Sequence, residues 1–283
     1  MNNSEIIADG FAFIEGVRWH QGSLWFSDMH GHGVHRIDAS GTVEEICRID
    51  NRPSGLGWLP NGDMLIVSMT DRQLLRRKAD GVISVHADLS GMVTKRANDM
   101  VVDRQGRAWV GNFGFHTDED EGIAPTNLVR VDPDGSFHQV ADQMIFPNGT
   151  VMTPDGKTLI VAETYAARLT AFDVGDDGSL SNRRIWAQFL DGSVPDGIAL
   201  DAEGAIWVAS PTNARCFRVQ EGGEVLDVIE TGKQQPFTCA LGGPDRKTLY
   251  IALADSADRD ECRDRMSGKI IAKNVPVAGA GML

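Results

Sequence analysis

Six polar side chains recur in this sequence at matched points, each leading into a short apolar run: Glu15-Gly16, Ser54-Gly55, Asn98-Asp99, Asn148-Gly149, Asp196-Gly197 and Thr238-Cys239. Four of the six, Glu15, Asn98, Asn148 and Asp196, carry a carboxylate or carboxamide oxygen. Any one pair would pass as an ordinary turn dipeptide. The set does not, because Glu15 is not a turn residue and two carboxylates brought to one axis repel unless a positive charge lies between them. An oxygen-only donor set of Glu15, Asn98, Asn148 and Asp196 suits one hard divalent ion, Ca²⁺ foremost with Mg²⁺ or Mn²⁺ next, better than it suits Zn²⁺, which favours His and Cys. Zn²⁺ stays among the alternatives. Held with open positions, such an ion polarises a carbonyl and acidifies water, which is the chemistry of ester hydrolysis.

Bringing six separated residues to one axis requires a repeated fold, and the chain repeats itself six times. Each copy holds a short apolar strand, a Pro/Asp/Gly turn, a second strand, a polar turn and a third strand, as in GVRWHQGSLWFSDMHGHGVHRIDASG and GIALDAEGAIWVASPTNARCFRVQEGG. The second-strand anchors Trp25, Leu65, Trp109, Ile160, Trp207 and Tyr250 are spaced by 40, 44, 51, 47 and 43 residues, the length of a four-stranded propeller blade. Turns at Asn61-Gly62, Asp134-Gly135 and Asp155-Gly156 fit antiparallel hairpins. The expected architecture is therefore all-β, a six-bladed β-propeller forming one domain over residues 1–283. A sandwich would also show short strands, but it needs no forty-residue self-similarity. The leading segment SEIIADGFAFIEG falls outside the first copy and is expected to close the ring by pairing with the last blade. Pro53, Pro147 and Pro195 each directly precede a ring position and stiffen the approach to it.

A formal charge of −13 sets nucleic acid and anionic membrane surfaces aside as partners. The first residues carry neither a basic region nor an apolar run, so a cytoplasmic location is expected. Cys47, Cys216, Cys239 and Cys262 are scattered without CxxC spacing and read as buried thiols. The Asn148-Gly149-Thr150 sequon is set aside because that asparagine belongs to the axis.

The segments FIEGVRW, RANDMVVDRQGRAWVGNFG, FPNGTVMTPDGKTLIVAET and SNRRIWAQFLDGSVPDGIALDAEGAIWVAS resemble the senescence marker protein 30/gluconolactonase/regucalcin family. The resemblance implies a six-bladed propeller with a metal held by Glu15, Asn148 and Asp196, and with Arg96 and Asn98 near the substrate. It also implies that Asp196 is the catalytic base. In that reading Asp196 accepts a proton from water while Arg96 steadies negative charge or orients a small-molecule lactone or ester.

The sequence departs from sugar-lactone members of the family in the loop GNFGFHTDEDEGIAP, where Phe113, Gly114, Phe115 and His116 replace an acidic contact to sugar hydroxyls. Phe113 and Phe115 would then either make the mouth less polar or pack the loop down, and His116 joins the substrate-contact candidates. His30, His32 and His35 are expected on a solvated hairpin turn, with His30 the one that could face the channel mouth, and the six Trp are expected in the core. Two other functions fit the same residues: a non-catalytic calcium-binding regulatory propeller, and a propeller hydrolase of phosphotriesters or fluorophosphates. The sequence leaves the oligomeric state open.

Overall fold

Short alternating apolar segments broken by Gly, Asn and Asp can bury one face and pair both edges only as strands of antiparallel sheets. The structure, a computed structural model, describes residues 4–116 and 122–281. The acidic centre of the loop after the third blade's second strand, at 117–121, lies outside the described residues.

Six four-stranded sheets follow one another in a ring, a six-bladed β-propeller as the repeat requires. The innermost strands are Ile14–His20, Pro53–Trp58, Ala97–Val102, Pro147–Met152, Ile198–Leu200 and Gln235–Gly242, each against its neighbours around the axis. Next outward lie Ser23–Asp28, Met64–Ser68, Ala108–Asn112, Thr158–Glu163, Ile206–Ser210 and Thr248–Ala254. All six anchors from Trp25 to Tyr250 fall on these second strands, opposite equivalent inner-strand residues such as Arg18, Gly57 and Val101. The leading segment does close the ring: Glu5–Phe11 pairs antiparallel with Gly268–Asn274, with Ile6 opposite Ile271. That strand completes the sixth blade and covers its edge.

The core is not one central mass but a series of wedges between successive blades. Trp109, Leu128, Leu159 and Phe172 fill one wedge, Ile206, Phe217, Leu169 and Trp186 another, and Phe26, Ile14 and Ile270 the closing one. Three tryptophans, Trp109, Trp186 and Trp207, are buried as expected. Trp19, Trp25 and Trp58 are only half-buried, which corrects the expectation for them. Trp19 and Trp58 lie on inner strands, each stacked on one ring, Tyr250 and His20, and open on the other side to the channel end. Cys216, Cys239 and Cys262 are buried free thiols, whereas Cys47 is half-buried. The α-helix Arg259–Arg265 joins the second and third strands of the sixth blade, its N-terminus capped by the Asp258 carboxylate accepting from the Asp260 and Glu261 N–H groups. Among the described residues no helix is long and apolar enough to cross a membrane.

Candidate functional site

Glu15, Ser54, Asn98, Asn148 and Thr238 all sit in innermost strands, and Asp196 stands two residues ahead of Ile198–Leu200. All six are buried. Five of the inner strands slip register across this point, between Glu15 and Arg18, Pro53 and Leu56, Ala97 and Met100, Pro147 and Thr150, and Pro236 and Thr238. A bulge of this kind re-aims a side chain that a regular ladder would send into a wedge. The glycines beside the ring residues are there for close approach between blades. A Cβ on Gly149 would lie 2.5 Å from the Asp196 carbonyl oxygen, and one on Gly197 would lie 2.5 Å from Thr238 Oγ1. The Gly149 N–H donates to that Asp196 oxygen at 3.2 Å, which ties two ring positions together through backbone.

A second tier of buried polar residues, at the ends of the second strands, fixes the approach to the ring. In the first blade Asp28 accepts from the N–H groups of Ala12 (3.2 Å) and Phe13 (2.9 Å). In the fourth, Glu163 Oε2 accepts from the Ile145 N–H at 2.7 Å, and in the fifth Ser210 Oγ accepts from the Val194 N–H at 3.2 Å. These are the three blades that supply Glu15, Asn148 and Asp196. The equivalent residues elsewhere act differently. Asn112 bonds across to Asn127 and Thr126, and Ser68 Oγ is buried without a hydrogen-bond partner. Sequence reading missed this tier, although the copies end their second strands in FSD, VAE and VAS, a signal that stacking them displays.

The charges that weigh most on the axial carboxylates are negative. Burial pushes the Glu15 carboxyl well above its usual range, and the charges of Asp196 and Asp99 push it further. Burial and Asp99 push Asp196 up to about 8, against a hydrogen bond with Asn148. The cation acting on Glu15 is Arg18, and it is already committed: its Nη2 donates to Asp99 Oδ1 at 2.5 Å and to the Met100 carbonyl at 2.7 Å. Burial raises Asp99 as well, in spite of Arg18. Asp196 Oδ1 is buried without a hydrogen-bond partner, and so are Ser54 Oγ and Thr238 Oγ1 on other ring positions. Buried oxygens of this kind are expensive unless a cation or a donor meets them.

The donor set fits a hard divalent ion. Glu15 and Asp196 supply charge and Asn148 supplies a carboxamide oxygen, its Nδ2 being turned to Thr164 Oγ1 at 3.2 Å. Asn98 is more constrained, since its Nδ2 donates to the Pro147 carbonyl at 3.4 Å. Among the described residues no three His, Cys, Asp or Glu side chains form a group that could hold a metal ion.

Around the mouth, Arg96 lies two residues before Asn98 with its guanidinium 5.9 Å from the Phe113 ring centre. Phe113 packs on Phe146 at 4.3 Å, and Phe115 on Phe146 at 5.7 Å and on Tyr165 at 5.2 Å. Phe115 is buried, so it packs the loop down, whereas Phe113 and His116 stay half-buried. Tyr165, which the sequence did not flag, is 46% exposed, and its hydroxyl titration is raised by burial and by the charge of Asp196. His30 is not solvated. It is 5% exposed, 5.2 Å from the Phe13 ring, and burial together with Arg52 lowers its pKa to about 4. His35 stacks on Phe26 at 5.2 Å, so the expected solvated turn holds at most for His32.

A model of the SMP-30/gluconolactonase/LRE-like region matches residues 13–255, and the chain belongs to that family. It is similar to 6-deoxy-6-sulfogluconolactonase of Pseudomonas putida, 27% identical over 260 residues that cover 90% of this chain and 88% of that protein. It is also similar to regucalcin of Gallus gallus, 27% identical over 266 residues covering 89% and 87%. Among solved structures, a calcium-binding regucalcin from Agrobacterium tumefaciens shares the fold, with a TM-score of 0.83 at 23% identity over 98% of this chain and 95% of that one.

Proposed function

We propose that this protein is a divalent-metal-dependent hydrolase of a lactone, of the gluconolactone type or a related ester. The observation that carries the reading is the pair of buried axial carboxylates, Glu15 and Asp196: the charge of Asp196 pushes Glu15 up, the nearby Arg18 is bonded to Asp99, and one Asp196 oxygen has no partner. Support for the substrate class comes from relatives named as lactonases, 6-deoxy-6-sulfogluconolactonase among them.

Glu15, Asn148 and Asp196 would hold the ion, Ca²⁺ first among Mg²⁺, Mn²⁺ and Zn²⁺, and when bound it supplies charge that polarises the ester carbonyl. The chain's own groups do the rest. Asp196 takes the proton of the attacking water and returns it to the departing ring oxygen, a role worth ~10²–10⁴-fold. Arg96 orients the substrate and steadies the negative charge that develops on it, with Asn98 and His116 as further contacts. The Asp196 N–H donates to the Ala209 carbonyl at 2.9 Å and its carbonyl accepts from the Gly149 N–H at 3.2 Å, so that its carboxylate needs little reorganisation.

The test is acid release from a panel of sugar, aliphatic and aromatic lactones plus one phosphotriester, each with Ca²⁺, Mg²⁺, Mn²⁺ or Zn²⁺ and with chelator. Turnover of a lactone that chelator abolishes and metal restores is the expected result. Metal binding without turnover of any member would make the protein a binding propeller, and turnover of the phosphotriester alone would reassign its substrate.

A further inference from the structure

The same six inner strands line a second space. Beyond the ring, at the other end of the channel, they enclose a cavity of about 440 Å³. That volume lies in the range of small-molecule pockets. Its wall is apolar and drawn from every blade: Trp58, Val102, Met152, Leu200 and Leu241 are among the residues that face it. Several of these, Trp58, Val102, Leu200 and Leu241, stay half-buried.

Of the charged groups around this apolar space, Arg18 is paired with Asp99, which leaves Arg104 and Arg246. Arg18, Arg104 and Arg246 line it, and the carboxylate that does so, Asp103, is spent on Arg107 at 2.6 Å and on the N–H groups of its own turn. Arg104 and Arg246 are exposed at turns of the third and sixth blades, three blades apart in a ring of six and hence on opposite sides of the opening. Neither makes an ion pair with a described carboxylate, in contrast to Arg36, Arg76, Arg107, Arg168 and Arg218 on the blades. His20 stacks on Trp58 at 3.9 Å, and burial lowers its pKa. An apolar chamber whose mouth carries two guanidinium groups without an ion pair to a described carboxylate favours a ligand with an anionic end, locally offsetting the chain's net charge of −13.

We infer that the far end of the channel is a binding site for a small organic anion with an apolar body, of the kind a medium-chain carboxylate represents, its hydrocarbon part among Trp58, Val102, Leu200 and Leu241 and its carboxylate between Arg104 and Arg246. The site is separate from the axial carboxylates and does not depend on the function proposed for them.

The experiment is a titration of the intact protein with decanoate, followed by calorimetry and by the fluorescence of Trp19 and Trp58, which line the cavity. Decanol and decyltrimethylammonium serve as neutral and cationic counterparts. Decanoate is expected to bind, decanol to bind about tenfold more weakly, and the cation not at all, with decanoate affinity falling as salt is raised. The double variant Arg104→Ser/Arg246→Ser should lose about tenfold in decanoate affinity and leave decanol unchanged. Both residues are exposed, and an unaltered melting midpoint shows that the variant is folded. Failure of decanoate to bind, decanol binding as tightly as decanoate, or undiminished binding by the double variant would each overturn the inference.

Discussion

Glu15 and Glu163 are the same residue type, both buried, and they sit in opposite electrostatic worlds. At Glu163 burial alone would raise the pKa, but Arg168 Nε (2.9 Å), Thr170 Oγ1 (2.5 Å) and the Ile145 N–H (2.7 Å) all donate to its carboxylate, and the net shift is downward. At Glu15 its neighbour's N–H, Gly16, donates at 3.3 Å, and the charges that act most strongly on it, Asp196 and Asp99, are negative. The fold was therefore able to satisfy a buried glutamate where it needed a structural clamp, and left another unsatisfied on the axis. A carboxylate that is satisfied by the protein holds the protein together, and one that is not is available to something else.

The largest effects should come from breaking that contrast on the axis. Asp196→Asn keeps an oxygen and loses the base, so initial rates should fall ~10²–10⁴-fold and raising the metal concentration should not restore them. Glu15→Gln also keeps an oxygen but loses only charge that holds the ion, so metal should restore much of its rate. Metal titrations of both variants measure this. Equal rescue would make Asp196 a ligand and nothing more.

Glu163→Gln attacks the other half of the contrast. It leaves the guanidinium groups of Arg168 and Arg183 without their carboxylate and should cost about 2–4 kcal/mol in denaturant melts, towards the lower end because both arginines reach solvent. Glu15→Gln should do the reverse in chelator and raise stability by relieving repulsion. If both variants destabilise the metal-free protein alike, the two glutamates are not different in kind.

The pH dependence carries the same opposition. Asp196 titrates at about 8 in the folded chain. Its unfolded value is ~3.9. Between these limits the folded state holds a proton that the unfolded state has released, so the stability it contributes is full below about pH 4 and is lost as pH rises through about 8. Glu163, shifted down, contributes stability that is present at neutral pH and lost on acidification. In chelator the melting midpoint of the parent protein, taken relative to that of Asp196→Asn, should fall as pH rises from 5 to 8.5. Saturating Ca²⁺, which must displace the proton, should flatten that slope. A difference that rises with pH would place Asp196 among the satisfied carboxylates.

Much of this was legible in the sequence, and the boundary of what was is physical. Self-similarity reports blade equivalence, so Trp25 to Tyr250 fell on second strands and Glu15 to Thr238 on the innermost turn of the chain. What a repeat does not report is which wedge closes over a side chain. Trp19 and Trp58 are therefore half-buried near the axis, while His30, in a polar-looking HGHGVH, is buried against Phe13. Partners many residues apart were equally silent, as with Asp28 and Ala12 or Arg18 and Asp99. The far cavity was hidden for the same reason, since its wall is two to four residues from each of six strands.

The smallest effect should also be the sharpest control on the contrast between clamp and axis. Ser210 and Ser68 hold equivalent places at the ends of the second strands of the fifth and second blades, and both are buried. Ser210 Oγ accepts the Val194 N–H two residues ahead of Asp196, whereas Ser68 Oγ has no hydrogen-bond partner and its blade contributes Ser54 to the ring. Ser210→Ala should therefore cost about 1 kcal/mol and weaken metal binding several-fold, because the approach to Asp196 is no longer fixed. Ser68→Ala removes a hydroxyl that was buried unpaired, so its stability should be unchanged or slightly raised and its metal affinity untouched. Calorimetric metal titration of the two alanine variants, with their melting midpoints, reads both quantities. If Ser68→Ala weakens metal binding as much as Ser210→Ala, the second tier supports the ring only in general, and the hydrogen bonds of the first, fourth and fifth blades do not single out Glu15, Asn148 and Asp196.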